Sequence, residues 1–397
     1  MFKKRGQKKE HRDFFSRNKL WLASATLMGT VIGAGVLGIP YVIAQSGLLL
    51  GIINLLVIGF ALLVLHLCLG EISLRTKGLH QLSGYMEKYL GKWGKHFMAF
   101  SMIVGIYGAM TAYLIGEGQI FKTILGIGHP LLYSLIFFVL VSIIIFIGLK
   151  ATGRAEMIVT TLMILVVLGI GLLSLSQINP ENYSGIHWQS IFLPYGVILF
   201  AFVGTAAIPE LREELEKEKY KMKKAIFIGS IIPIVIYLFF TLIVIGLIGL
   251  TNFNALAPNE RIATIALSLY TSPYLGLAAN IFAAFAMFTS FIGLGYALKG
   301  MFEFDYHFKK LWAFFLTIIP PLLIAFSNLT NFIAVIGFTG AIAGGVDGIL
   351  IMLAYWRAKK FGQRKPEYSL KIGKILTGLL ILMFAFGIVY QLWQTFL

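Results

Sequence analysis

Charge is scarce in this sequence. Asp, Glu, Lys and Arg make up only 13% of its 397 residues, against 58% hydrophobic, with a mean hydropathy of +0.85. Soluble domains carry about a quarter of their residues as charges, so the composition excludes an ordinary soluble fold and specifies a multi-span helical membrane protein. Cysteine is nearly absent: Cys68 is the only one, which excludes an intrachain disulfide. Also missing are GxxxxGK[ST], HExxH, GxSxG and any His/Asp cluster within an apolar run. Their absence argues against ATP-driven work within this chain and against a membrane enzyme. The basic start (Lys3, Lys4, Arg5, Lys8, Lys9) is not followed by a short apolar core and a small-residue cleavage site, so the first apolar run is read as a retained span.

What charge there is falls on one side. The net charge is +16, but the basic residues cluster between apolar runs rather than on a nucleic-acid-binding face. About eleven spans of ~20 residues fit the chain, at roughly 20–46, 48–74, 96–122, 130–150, 154–176, 190–210, 222–250, 273–300, 311–327, 331–357 and 372–396. All basic residues except Lys122 and Arg261 then fall on the N-terminal side of the bilayer. That asymmetry predicts a cytoplasmic N-terminus (tail 1–19) and an extracellular C-terminus, in the plasma membrane. The loop Gly78–Lys95, with Tyr85, Tyr89 and Trp93, is expected to form a short interfacial helix. Asn182-Tyr183-Ser184 is a glycosylation sequon on the outer side.

The stretch Gly29–Pro40, GTVIGAGVLGIP, dominates the first span. Each Gly inside a helix costs about 1 kcal/mol relative to Ala, and in lipid the freed backbone groups need protein or a water-filled cavity to receive them. The segment reads as a broken helix lining a polar cavity; close packing through small residues is the alternative. Span 6 repeats the pattern about 170 residues later, in FVGTAAIP from Phe202. Spans 1–5 (20–176) and spans 6–10 (190–357) then read as two copies of odd span number, which forces the second copy upside down. Span 11 (372–396) is an addition.

GTVIGAGVLGIPYVIAQSG, LPYGVILFAFVGTAAIPE and FTSFIGLGYAL (from Phe288) resemble the amino acid/auxin permease family, close to the tryptophan/tyrosine permeases. Those belong to the amino acid–polyamine–organocation superfamily, with a fold of the leucine-transporter type. The resemblance runs through all the spans. It implies an all-α membrane protein with broken helices 1 and 6, and a secondary transporter that imports a neutral, aromatic or branched amino acid by alternating access. The partners are that amino acid and the lipid bilayer; nucleic acid is not one. An amino-acid sensor and a passive channel are the alternatives, although no large soluble signalling domain accompanies the spans.

A broken helix suits a zwitterion. The half-helix beginning near Leu37 offers unpaired N–H groups to a carboxylate, and the half-helix ending near Val31 and Ile32 offers carbonyls to an ammonium. Carried over from the family fold, the carboxylate meets the amides of Gly33, Ala34 and Gly35. The ammonium meets carbonyls near Val31, Phe200 and Phe202, and Phe202 and Thr205 line the side-chain pocket. Tyr113, or its rival Tyr107, adds a hydroxyl. No acidic side chain lies within the two breaks, which argues against a cationic substrate.

No cofactor is expected beyond a coupling ion. The resembling fold can hold sodium between spans 1 and 8, here at the carbonyls of Gly29 and Ile32 and the hydroxyls of Thr289 and Ser290. These are hard oxygen donors, although such hydroxyls commonly bond back to their own helix. Protons are the rival. Glu117 in span 3, one turn beyond Tyr113, and Asp347 in span 10 are intramembrane carboxylates and hence functional candidates. Pairing of Glu117 with Lys122 is its structural alternative. Glu71 and Glu156 near inner span ends are read as capping or pairing groups, His66 as a satisfied packing residue, and Lys299 as a snorkelling one.

Overall fold

The computed structural model describes residues 19–148 and 153–396, and at 153–160, 304 and 305 the backbone only. The expected tail, Lys19 apart, and the side chain of Glu156 lie outside the described residues. Every regular element among the described residues is a helix. We label them by span: α1a Lys19–Val31 and α1b Ala34–Ser46, α2 Leu48–Arg75, α3 Leu82–Leu125, α4 Pro130–Ile147, α5 Gly153–Ser174, α6a Pro194–Phe202 and α6b Ala207–Glu214. After them come α7 Met222–Ala255, α8 Pro273–Gly300, α9 Lys310–Phe326, α10 Phe332–Phe361 and α11 Lys374–Phe396.

Eight of the described helical stretches are long and apolar enough to cross a bilayer, and the α1 pair, bent by 46°, makes a ninth. The expected span at 311–327 coincides with a shorter apolar helix, Lys310–Phe326, and the expected span at 154–176 with α5, Gly153–Ser174, whose described side chains begin at Thr161. Span 3 starts earlier than expected. A helix does occupy the stretch before it, joined end to end with it, and Gly91 takes φ 77° at the junction. Only a residue without Cβ enters that conformation cheaply.

Centre and periphery separate by burial. In α6 and α10, 78% of the apolar window is buried, against 22% in α11. α4 and α11 present Ile136, Leu140, Leu379 and Leu382 outward, as lipid-facing helices do. α6a and α10 approach through backbone: a Cβ on Gly196 would strike the carbonyl of Gly337, and one on Gly340 the carbonyl of Gly196. Small residues allow this kind of approach in membranes. The sequon residue Asn182 donates its side-chain N–H to Gly246 O at 2.8 Å, so that amide is committed within the protein.

At the end of α2, Glu71 is fully buried. Its carboxylate accepts from Arg75 Nε (2.8 Å), Lys359 Nζ (3.0 Å), the Leu370 amide (2.7 Å) and Ser369 Oγ (3.1 Å). Tyr368 donates to Leu67 O at 2.6 Å. The expectation that Glu71 pairs is met. Through it, the connection between α10 and α11 is fastened across α2. Removing one partner of a buried ion network costs about 3–5 kcal/mol. Glu71→Ala should therefore lower the thermal midpoint of the purified protein in detergent, and Glu71→Gln, which keeps an acceptor for the Leu370 amide, should lower it less. An unchanged midpoint in Glu71→Ala would show that the network contributes nothing net.

Candidate functional site

α1 breaks at Ile32–Gly33. The Ile32 amide still donates to Met28 O (2.6 Å), but the Gly33 amide turns to Val31 O (2.9 Å) instead of Gly29 O four residues back. Gly33 is extended, and the chain resumes at once as a 3-10 turn, Ala34–Gly38, before the α-helical stretch Ile39–Ser46. The second half-helix thus begins at Ala34 rather than near Leu37. Pro40 sits at the start of the regular helix, where its missing N–H costs nothing. The first amides of a helix have no partner within it, and the residues that carry them here, Ala34 and Gly35, line the central cavity.

Both readings of the glycine cluster hold, at different residues. A Cβ on Gly33 would meet only Tyr113 Oη at 3.8 Å and Ser290 Oγ at 4.0 Å, ordinary contacts. On Gly35 it would meet Ala201 Cα at 2.6 Å. Gly33 therefore faces space, and Gly35 lets α1b lie against α6a.

α6 breaks where its echo suggested. α6a stops at Phe202, and Val203 to Ala206 bridge to α6b through Ala207 N–H···O Gly204 (3.1 Å) and Ile208 N–H···O Thr205 (3.3 Å). Two residues not singled out as functional hold this break. The Gly204 amide donates to His66 Nε2 (3.3 Å), and His66 Nδ1 lies 3.0 Å from Ser230 Oγ. An Nε2 that accepts puts the ring hydrogen on Nδ1, facing Ser230. His66 is the satisfied histidine expected, and its partner is the break itself. Tyr237 on α7 points its hydroxyl at Val31 O (2.7 Å) and Ala201 O (3.1 Å), one carbonyl from each break.

Between the breaks lies a cavity of about 180 Å³. Val31, Gly33, Ala34, Gly35, Tyr113, Phe200 and Thr205 line it, and so does Asp347. Phe202 does not. Its ring is buried against Tyr237, centroids 4.9 Å apart, so the expectation that it lines the side-chain pocket is corrected: it is packing. Tyr113 rather than Tyr107 stands at the α1 break, since Tyr107 donates to Leu316 O (2.5 Å) on α9. The lining runs from the breaks past Ser101, Ala297 and Asp347 to Leu82 at the start of α3, toward the end of the bundle that carries Arg75 and Arg357.

The candidate coupling groups separate. Asp347 Oδ1 lies 2.7 Å from Ser101 Oγ, whose one hydrogen it shares with Ala343 O (2.8 Å), and Oδ2 accepts from Thr205 Oγ1 (3.2 Å), so one carboxylate joins α3, the α6 break and α10. Glu117 is buried outside the cavity, and neither carboxylate oxygen has a hydrogen-bond partner; Lys122 is exposed and forms no ion pair with it among the described residues. Thr289 Oγ1 donates back to Phe285 O (3.2 Å) and Ala286 O (3.1 Å), which commits its hydrogen and leaves lone pairs on the oxygen. Ser290 reaches the α1 break beside Gly33. Gly29 O has lost the Gly33 amide, as described, and Ile32 is buried at the break. Lys299 does not snorkel: it is buried and donates to Ile145 O at the end of α4 (3.2 Å).

Paired half-helices around a lined cavity, within an array of apolar spans, define a membrane transporter with discontinuous helices. The chain belongs to the tryptophan/tyrosine permease family, whose model matches residues 16–394. It is similar to glutamine transporter 2 of Aliivibrio fischeri (24% identical, covering 92% of this chain and 97% of the relative). It is also similar to tyrosine-specific transport system 1 of Haemophilus influenzae (25%; 88% and 90%) and to the tryptophan-specific transport protein of Pseudomonas aeruginosa (26%; 87% and 88%). Among solved structures it matches MhsT in complex with L-phenylalanine, with a TM-score of 0.64 at 16% identity, covering 95% of this chain and 97% of that one. The fold is therefore the transporter fold expected from the resemblance, and the family is one of transport proteins, not enzymes.

The glycine geometry makes a graded test. Gly33→Ala should leave amino-acid binding within about threefold, because its Cβ meets only ordinary contacts. Gly33→Leu should abolish binding by filling the cavity, while the protein still inserts. Gly35→Ala should weaken binding about tenfold or more, since overpacking costs on the order of 1–3 kcal/mol. Scintillation proximity binding on purified protein ranks the three, and equal affinities would remove the α1 break as the binding site.

Proposed function

We propose that this protein imports a neutral amino acid across the plasma membrane by alternating access. The carboxylate sits on the amides of Gly33, Ala34 and Gly35, and the ammonium on carbonyls at the ends of α1a and α6a, near Val31 and Phe200. The observation that carries this is the pair of helices interrupted at Ile32–Gly33 and at Val203–Ala206, both of which line one cavity. Free amides at a helix start bind anions, and carbonyls at a helix end bind cations, without a charged side chain. Thr205 and Tyr113 border the substrate. The N-terminus is cytoplasmic and the C-terminus extracellular, as the basic residues suggest, so the cavity opens inward. Residues 20–176 and 190–357 form the inverted repeats, and 372–396 is the added span.

Neutrality of the substrate rests on the relatives, whose names give glutamine, tyrosine and tryptophan. The sequence argument for it loses force, because Asp347 reaches the cavity from α10. That residue instead suits proton coupling. An ionised carboxylate accepts from Ser101 and Thr205 at once, whereas a protonated one gives up acceptor capacity and frees the α6 break from α3. Glu117 lies outside the cavity and is the second candidate. Sodium is the second reading for the ion, favoured by the Gly29 carbonyl that the turned Gly33 amide leaves behind. Gly29 O, Ile32 O and the Thr289 and Ser290 hydroxyls would hold it as a hard oxygen set.

Purified protein in proteoliposomes should concentrate L-tryptophan, L-tyrosine or L-glutamine under an imposed proton or sodium gradient. Equilibration without concentration would identify a channel, and binding without uptake a sensor. Asp347→Asn should flatten the pH dependence of uptake, while Glu117→Gln leaves it as in the wild type; the reverse pattern would move the coupling site to Glu117.

A further inference from the structure

Carbonyls at the ends of the two half-helices, where the ammonium is placed, are not idle. Val31 O accepts the Gly33 amide at 2.9 Å and the Tyr237 hydroxyl at 2.7 Å, which uses both of its lone pairs. Ala201 O, one residue before the end of α6a, lies 3.1 Å from the same hydroxyl. The two carbonyls end different half-helices, and each has lost the amide that a continuous helix would bring four residues on. A phenol has one hydrogen, so Tyr237 serves both by sharing it. Its ring is fully buried on α7 against Phe202, and Tyr237 is not among the residues that line the cavity. Val31 and Ala201 themselves line the cavity. An incoming ammonium, with three hydrogens, can take over both carbonyls only by displacing the phenol.

We propose that the Tyr237 hydroxyl is the placeholder for the substrate ammonium, a positioning residue that pairs the two half-helix ends whenever the carrier is empty. This deepens the transport reading and rests on it. A carrier that accumulates substrate must return empty through an occluded state from which water is excluded. In that state Val31 O would keep only the Gly33 amide and Ala201 O would have no donor, which would raise the barrier, and the phenol supplies the missing hydrogen. A loaded carrier does not need it, because the ammonium is there.

Net uptake requires the empty return, whereas exchange of internal for external amino acid does not. In proteoliposomes, with whichever of radiolabelled L-tryptophan, L-tyrosine or L-glutamine the wild type carries best, Tyr237→Phe should slow gradient-driven net uptake about tenfold, the factor expected for an unpaired buried carbonyl. Exchange should stay within about twofold of wild type, and its half-saturating concentration should not rise. Tyr237→Leu, which also removes the ring from Phe202, should depress both modes. Equal losses of net uptake and exchange in Tyr237→Phe, or no loss in either, would overturn the inference while leaving transport standing. Wild-type protein that carries none of the three amino acids in either mode would overturn the transport reading and this inference with it.

Discussion

A peptide group inside a bilayer must be paired, and breaking a helix leaves several that are not. The arrangement around α1 and α6 follows from that constraint. The Gly33 amide turns to Val31 O, the Gly204 amide finds His66, and Tyr237 covers a carbonyl from each break. Ala34 and Gly35, at the start of the second half-helix, line the cavity between the breaks. The site is thus an accounting of backbone donors and acceptors, with α2, α3, α7 and α10 supplying the side chains that balance it. His66, Tyr237 and the backbone itself pair the freed peptide groups, which is why so few charged side chains are needed.

The sequence disclosed the backbone half of this arrangement. Glycines at 29, 33, 35 and 38 ahead of Pro40, and the echo before Pro209, are a local pattern whose cost in a helix demands an explanation. Both breaks fell within a few residues of where that pattern put them. The side-chain half was much less legible. Tyr237 sits in IVIYLFF, where a tyrosine looks like one more aromatic, and its acceptors lie 206 and 36 residues away. His66 and Ser101 likewise gain their roles from α6 and α10. The one signal available was that a hydroxyl or imidazole in an apolar span must be paired somewhere, which says that a partner exists but not where.

Phe202 shows the opposite error. Its position within the α6 motif suggested the pocket, yet its ring turns to Tyr237. Residues that end a half-helix point their side chains according to the last helical turn rather than the cavity, so carrying a motif over fixes the backbone better than the side chain. The carboxylates reversed in emphasis for a similar reason. Glu117 shares a helix face with Tyr113, which made it prominent in one dimension. Asp347 reaches the cavity because α10 runs against α3 and α6, a relation only the three-dimensional packing contains.

The glycine contact between α6a and α10 has a mechanical consequence. Gly196, Gly337 and Gly340 bring main chain against main chain, and Val197 and Leu199 pack directly on Gly337 and Gly344, so little room is left for the two helices to slide. Such a seam moves as a unit or separates. Asp347 lies two turns beyond Gly340 on that same helix and grips Thr205 just past the end of α6a. Tilting α6a must therefore lever α10 with it, so the seam between these helices and the grip of the carboxylate on Thr205 are geared together by close-packed backbone.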